Sequence, residues 1–139
     1  MKTKNGFTIV ELLVVIAIIG LLSSLVLVQI QSSRARARDA EREEEIKSLQ
    51  NALALYIVNS HNFPVGSGPL TGSDQVSLEL IAKEALNQVP LDPLNTDPAG
   101  DPDYRYLYNS ADGGTYTLTY WLETNSVSGK SAGQHFAAP

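Results

Sequence analysis

The sequence predicts an α+β fold: a long N-terminal α-helix, apolar in its first half, projects from a small antiparallel β-sheet packed on its second half. Three observations predict this fold. An apolar block runs from Phe7 to Val28, and a charged, helix-forming stretch follows from Ser32 to Tyr56 without a proline to end it. Two later segments, Tyr104 to Tyr108 and Tyr116 to Leu122, alternate in the manner of strands.

Composition fits one domain and excludes several kinds of site. A chain of 139 residues has room for a single hydrophobic core. The formal net charge is -5, and from Leu70 onward three basic residues stand against nine acidic ones, which argues against a nucleic-acid interface. The chain has no cysteine, so disulfides and thiolate metal sites are excluded. No cofactor and no metal are expected.

The apolar block has the length of a membrane-spanning helix. Its polar residues are four: Thr8, Glu11, Ser23 and Ser24. As an α-helix the block measures about 33 Å, enough to cross a hydrocarbon core of about 30 Å. We therefore predict a leader at residues 1–6, an apolar transmembrane or filament-core helix at 7–30, and a globular domain at 31–139.

The second half of the predicted helix carries balanced charge and then an apolar stripe. The charges recur at spacings of three and four, which predicts a solvated helix surface: Arg34, Arg36, Arg38, Asp39, Glu41, Arg42, Glu43, Glu44, Glu45 and Lys47. The stripe recurs at similar steps and predicts a face that packs on a partner: Ile46, Leu49, Leu53, Tyr56 and Ile57.

The segments after the helix are expected to begin with irregular and helical structure. The long helix should end near Asn59 to Asn62, because Phe63 precedes a proline. Gly66 to Pro69 is predicted to be a loop. A short helix should follow with Ser77 as its N-cap, and its predicted apolar face consists of Leu78, Ile81, Ala82, Ala85 and Leu86.

The C-terminal third is expected to supply the sheet. Tyr104 to Tyr108 and Tyr116 to Leu122 predict a hairpin around the turn at residues 111–114, with one face covering the apolar stripe of the helix. Trp121 falls on the opposite face of that hairpin. It is a better candidate than the alternating tyrosines for adhesion to sugars or surfaces. The tail from Asn125 to Pro139 predicts a weak third strand or none.

Gly6 and the residues after it carry the functional signal. Cleavage after Gly6, where no side chain obstructs a protease, would create a charged amine on Phe7. Glu11 is a carboxylate among apolar residues, and an ionised side chain at the bilayer centre costs about 2.5–3.5 kcal/mol. A pair with the Phe7 amine, of the same or a neighbouring subunit, is worth roughly 4 kcal/mol before desolvation. The pattern predicts assembly of subunits, not catalysis.

Residues 6–28 resemble the N-terminal signal of type IV pilins and type II secretion pseudopilins, in which glycine, phenylalanine, threonine and a glutamate precede an apolar helix. The resemblance implies cleavage between Gly6 and Phe7 by a prepilin peptidase, methylation of the new Phe7 amine, and an assembly role for Glu11. Further along, Pro90 to Pro93 and Tyr104 to Tyr108 loosely resemble the major pseudopilin.

The chain departs from the family pattern in three respects. Many pilins have a proline late in the apolar helix, where this sequence has Val26, Leu27 and Val28. The cysteine-bounded loop of many major pilins and the calcium loop of pseudopilins are not recognisable. In addition, four arginines follow the apolar block and two lysines precede it, which by itself favours an outside N-terminus, whereas cleavage of a cytoplasmic leader requires the opposite.

These observations lead to one functional expectation and several alternatives. We expect a structural subunit of a type IV pilus that polymerises with itself through its N-terminal helix. The alternatives are a pseudopilin of a type II secretion or DNA-uptake machine, a single-pass membrane-tethered binding protein, and a secreted enzyme cut after an ordinary signal sequence. Expected partners are the prepilin peptidase, an assembly ATPase, a platform protein and the cytoplasmic membrane, where the precursor resides with its N-terminus inside before export to the cell surface.

Other chemistry-bearing residues are given structural roles. Aspartates in proline-rich turns suggest solvated loops rather than calcium ligands: Asp92, Asp97, Asp101, Asp103 and Asp112. His61 and His135 belong to no metal or catalytic motif, and the chain contains no P-loop and no nucleophile elbow. We expect no enzymatic activity.

Overall fold

The computed structural model describes residues 7–95 and 104–139, apart from the side chains of Leu25 and Val28. The elements of this part are helix α1 (Ile9–Ser60), strand β1 (Gly66–Pro69), helix α2 (Gln75–Ala82), and strands β2 (Leu107–Ser110), β3 (Thr117–Leu122) and β4 (Gly133–Ala137). The strands form one antiparallel sheet in the order β1-β2-β3-β4. The predicted α+β class, with a long N-terminal helix packed against a small antiparallel sheet, is confirmed.

The chain divides into two compact units after Ala35. In the first unit, the described apolar side chains of α1 are exposed, from Ile9 at 85% to Ile30 at 42%. In the second unit, the rest of α1 packs with the sheet and α2 around one core. The predicted apolar stripe is confirmed, since Ile46, Leu49, Leu53 and Tyr56 are buried and Ile57 is packed against the core.

The sheet contributes a face of alternating buried side chains to this core. On β3, Leu118, Tyr120 and Leu122 are buried, whereas Trp121 is only half-buried, as expected for the opposite face. The buried tyrosines find partners for their hydroxyl groups. Tyr108 donates to the carbonyl oxygen of Pro64 at 2.7 Å, and Tyr120 donates to Glu43 at 2.8 Å.

Helix α1 ends at Ser60, within the predicted range of Asn59 to Asn62. His61 adopts a left-handed backbone conformation with φ of 64°, and its N–H donates to the carbonyl oxygen of Ile57 at 2.8 Å. This is the single-bond C-terminal cap, which satisfies one carbonyl group that the helix leaves unpaired. The next residues turn back toward the sheet, because the Phe63 N–H donates to the carbonyl oxygen of Gly113 at 2.8 Å.

The prediction for the short helix was right about its existence, wrong about its cap and right about only part of its apolar face. Asp74, not Ser77, is the N-cap, and its carboxylate accepts from the Ser77 N–H at 2.9 Å. Ser77 is buried inside the first turn. Of the predicted face, Ile81, Ala85 and Leu86 pack against the core, but Leu78 is 54% exposed. Val76 and Leu80, which were not predicted, are buried in the core.

One predicted loop is a strand, and one predicted strand begins later than expected. Gly66–Pro69 is not a loop but β1, which pairs with β2 from Gly66 opposite Ser110 to Pro69 opposite Leu107. Strand β2 begins at Leu107, so Tyr104 lies before the ladder instead of within it. The tail does form a strand, since β4 pairs with β3 along its full length.

The expectation of a solvated charged surface on α1 was wrong for its most important residues. Asp39 and Arg42 are completely buried. The Arg42 guanidinium donates to Asp92 at 2.6 Å, to Glu123 at 2.7 Å and to Asp39 at 2.9 Å. Arg38 donates to Glu123 through two nitrogens, at 2.6 and 2.7 Å. We call Arg38, Asp39, Arg42, Asp92 and Glu123 the ion cluster.

The ion cluster joins three parts of the second unit. Asp39 on α1 accepts from the backbone N–H groups of Glu123 and Thr124, at 2.9 and 2.8 Å, immediately after β3. Asp92 accepts from the N–H of Leu94 at 2.8 Å while it binds Arg42, so the proline-rich segment at residues 90–94 is held by the same guanidinium. The charges are thereby nearly saturated with hydrogen bonds, which is the condition under which buried ions are tolerated.

The pKa values of the cluster follow from these contacts. Burial opposes the charge on Arg42, but hydrogen bonds to Asp92 and Glu123 outweigh burial and raise the pKa of Arg42. The hydrogen bond from Arg38 lowers the pKa of Glu123. Both shifts favour the charged forms of Arg42 and Glu123, so hydrogen bonding within the cluster stabilises this ion pair.

We expect Arg42→Ala to lower the free energy of unfolding of the second unit by about 3–5 kcal/mol, because it leaves Asp39 and Asp92 buried without their cation. Urea unfolding of the full chain in detergent, followed by the fluorescence of Trp121, measures this change. Arg34→Ala, which removes an exposed arginine from the same helix, serves as control and should change the value by less than about 0.5 kcal/mol. A loss below about 1 kcal/mol for Arg42→Ala would contradict this role of the cluster.

Candidate assembly site at the start of the apolar helix

The start of α1 is closed by a reciprocal pair of hydrogen bonds between Thr8 and Glu11. The Thr8 hydroxyl oxygen accepts from the Glu11 N–H at 3.2 Å, and the Glu11 carboxylate accepts from the Thr8 N–H at 2.9 Å. The Thr8 hydroxyl also donates to the same carboxylate oxygen at 2.8 Å. This is a capping box, with Thr8 at the N-cap and Glu11 three residues later.

The capping box changes the interpretation of Glu11. From the sequence, the expected partner of this carboxylate was the amine that cleavage creates on Phe7, in the same or a neighbouring subunit. In the described chain it already has one, because Thr8 satisfies it locally. A threonine three residues before a glutamate at the start of an apolar run is the sequence signal of such a capping box, and it distinguishes Thr8 as the missed residue.

The predicted site residues are placed as follows. Gly6 lies outside the described residues. Phe7 is 84% exposed and precedes the capping box directly. In the uncleaved chain its nitrogen belongs to the peptide bond with Gly6, so the pair between a Phe7 amine and Glu11 remains a prediction about the processed protein.

The residues that follow the capping box present a continuous apolar surface. Among the described residues, α1 is the helix long and apolar enough to cross a membrane, and its apolar window has no buried residue. The helix runs without a break through Gly20. Ser24 satisfies its hydroxyl by donating to the carbonyl oxygen of Leu21 at 2.7 Å, so this polar side chain needs no outside partner.

Comparison with known proteins shows the family to which the chain belongs. The family model described as the prokaryotic N-terminal methylation motif matches residues 1–27. Type II secretion system core protein G of Escherichia coli strain K12 is 32% identical over 116 residues, which cover 83% of this chain and 79% of that protein. The chain belongs to the type IV pilin and type II secretion pseudopilin family.

Other relatives of this pseudopilin-like chain help to distinguish the branches of the family. Core protein G of Pseudomonas aeruginosa is 32% identical over 115 residues, covering 76% of this chain and 75% of that protein. A fimbrial protein of Pseudomonas aeruginosa is 38% identical, but over 69 residues that cover 50% of this chain and 45% of that protein. No solved structure matches the chain at a significant level.

The comparisons revise the functional expectation. The sequence pattern was interpreted first as a type IV pilus subunit and second as a pseudopilin, and the relatives favour the second interpretation. One conclusion holds for both branches of the family. The family consists of structural subunits, and the motif together with the apolar helix fits a membrane-anchored precursor that assembles with copies of itself into a filament.

Proposed function

We propose that the chain is a pseudopilin of a type II secretion system, equivalent to core protein G, and that it forms the shaft of a short filament that drives secretion. The observation that carries this proposal is the extent of the match. The similarity to core protein G continues beyond the apolar helix across most of both proteins, whereas the match to the fimbrial protein covers half of this chain.

A type IV pilus subunit remains the second candidate. It is supported by the higher identity, 38%, of the fimbrial protein within the shorter matched region. Because all members of the family need the same cleavage signal and apolar helix, identity over only half of the chain separates the branches poorly. The globular part, through which a filament meets the proteins around it, is the more informative region.

The proposed life of the subunit begins in the cytoplasmic membrane with its N-terminus inside. A prepilin peptidase removes residues 1–6, and the new amine of Phe7 is methylated. An assembly ATPase and a platform protein then extract the subunit into the filament. This order is supported by the exposed apolar surface of α1, which requires lipid before assembly and other subunits afterwards.

Within this proposal Glu11 has two successive partners. In the precursor its carboxylate is held by Thr8, which also fixes its position at the first turn of α1. After cleavage, a Phe7 amine from a neighbouring subunit can approach the same carboxylate from outside the helix. An ion pair in these surroundings is worth roughly 4 kcal/mol before desolvation. The pair favours one register between subunits.

We expect the chain to restore secretion in a strain that carries a type II system but lacks its own core protein G. Mass spectrometry of the protein recovered from that strain should show an N-terminus at methylated Phe7. A chain that retains Met1 would support a membrane tether, and a start beyond Val28 would support an ordinary secreted protein. Correct processing without secretion, combined with pilus formation in a strain lacking its major pilin, would favour the pilus subunit.

Variants at Glu11 and Thr8 separate helix capping from charge pairing. Glu11→Ala and Glu11→Gln should both be inserted and cleaved but should fail to form filaments, because each removes the carboxylate charge. Glu11→Gln retains an oxygen that can accept from the Thr8 N–H, so its failure would not be a capping defect. Thr8→Val loses the capping hydroxyl, at a cost of about 1 kcal/mol, but keeps the charge and should assemble. Filament yield is measured in the fraction sheared from cells; a normal yield from Glu11→Gln would contradict charge pairing.

A further inference from the structure

The charges of α1 in the second unit fall into two groups. Nine charged residues lie on the helix between Arg36 and Lys47. Five have partners in their own chain: Arg38 and Asp39 in the ion cluster, Arg42 at its centre, Glu43 with Lys130 at 2.7 Å, and Glu45 with the hydroxyl of Tyr106.

The remaining four charges are exposed. They make no hydrogen bond or ion pair with any residue that the structure describes, and they are Arg36, Glu41, Glu44 and Lys47. The fold therefore leaves two bases and two acids on α1 available to something outside the subunit.

The four exposed charges are sorted around the helix. With 3.6 residues per turn, Arg36 and Lys47 lie about 20° apart, on one flank of the exposed face. Glu41 lies about 140° from Arg36, on the other flank, and Glu44 lies between them. Arg36 and Glu41 consequently point away from each other and cannot pair within one subunit. A flank of each sign is the arrangement that a head-to-tail contact between identical helices requires.

We propose that Arg36 of one subunit pairs with Glu41 of a second copy of this chain in the assembled filament. This inference rests on the proposed filament function and adds a specific contact to it. The occupant is another copy because the two flanks of one helix are complementary in charge to each other. A parallel, staggered neighbour brings the basic flank of one helix against the acidic flank of the next.

The stagger needed for this pair agrees with that for Glu11. The Phe7 amine lies four residues before Glu11, a spacing of about 6 Å along a helix. Arg36 lies five residues before Glu41, a spacing of about 7.5 Å. In both pairs the cation precedes the anion along the chain, so the two pairs require an offset in the same direction. The order is the reverse for Glu44 and Lys47, which would require a shift the other way.

The surroundings of the four exposed charges also favour Arg36 and Glu41 as the pair between subunits. Glu44 and Lys47 border a groove of about 410 Å³ beside Ala85 and Leu86, where the segment after α2 lies against α1. Arg36 and Glu41 do not line that groove and belong to the earlier part of the helix. Glu44 and Lys47 are thus matched controls on the same helix, with the same charges and similar exposure.

Charge reversal tests the pair in the full chain, expressed in the strain that lacks core protein G. Arg36→Glu and Glu41→Arg should each reduce the yield of sheared filaments about tenfold or more, because each places like charges in every contact along the filament. The double variant, Arg36→Glu with Glu41→Arg, should restore the yield to within about threefold of the unmodified chain. Lys47→Glu and Glu44→Arg should assemble nearly normally.

The outcomes separate this inference from the proposed function. If the unmodified chain is not processed or does not assemble, the proposed function fails. If it assembles and either single reversal assembles equally well, the pair is wrong while the function stands. Failure of the double variant to recover, or equal damage from Lys47→Glu, would also overturn the pair. Membrane abundance and cleavage at Phe7 are measured for every variant, so that a variant that fails to fold is recognised before its yield is compared.

Discussion

The rest of the structure depends on one constraint, which is that the first part of α1 has no cover for its apolar surface in the described part of its own chain. Side chains such as Ile9, Val10 and Leu21 are between 67% and 85% exposed. Burying an apolar side chain of this size is worth about 1.5–3 kcal/mol, so a whole face of them in water is untenable. The segment therefore requires lipid in the precursor and other subunits in the filament.

The second part of α1 is stabilised in a different way, by a core of its own and by the ion cluster. The Arg42 guanidinium donates to Asp39 on the helix, to Asp92 beside Pro93 and to Glu123 directly after β3. A domain without disulfides that must pass from a membrane into a filament benefits from a cross-link of this kind, because the contact fixes three segments in one register. The remaining exposed charges of the helix are then free to specify how copies meet.

The sequence predicted those features that depend on local periodicity. The apolar block, the stripe from Ile46 to Tyr56 and the alternation in β3 each repeat at the spacing of their element, so they could be recognised without coordinates. Strand β1 (Gly66–Pro69) could not be recognised in this way. Two glycines and a proline have low strand propensity, and the ladder with β2 forms through tertiary contact. The ion cluster was missed for a similar reason: Arg42 and Asp92 are fifty residues apart, and no pattern marks a charge that will be buried. At the start of the apolar helix, the assembly roles of Phe7 and Glu11 stay predictions, and the hydrogen bonds between Thr8 and Glu11 were not predicted.

The central claim, that copies of the chain cover each other's apolar segments, is tested most directly with single cysteines in a protein that has none of its own. Ile18→Cys should resist a water-soluble maleimide in intact, lipid-free filaments and react once the filaments are dissociated. Asp112→Cys, on an exposed turn, should react in both states. Equal reactivity of the two cysteines in intact filaments would contradict the account.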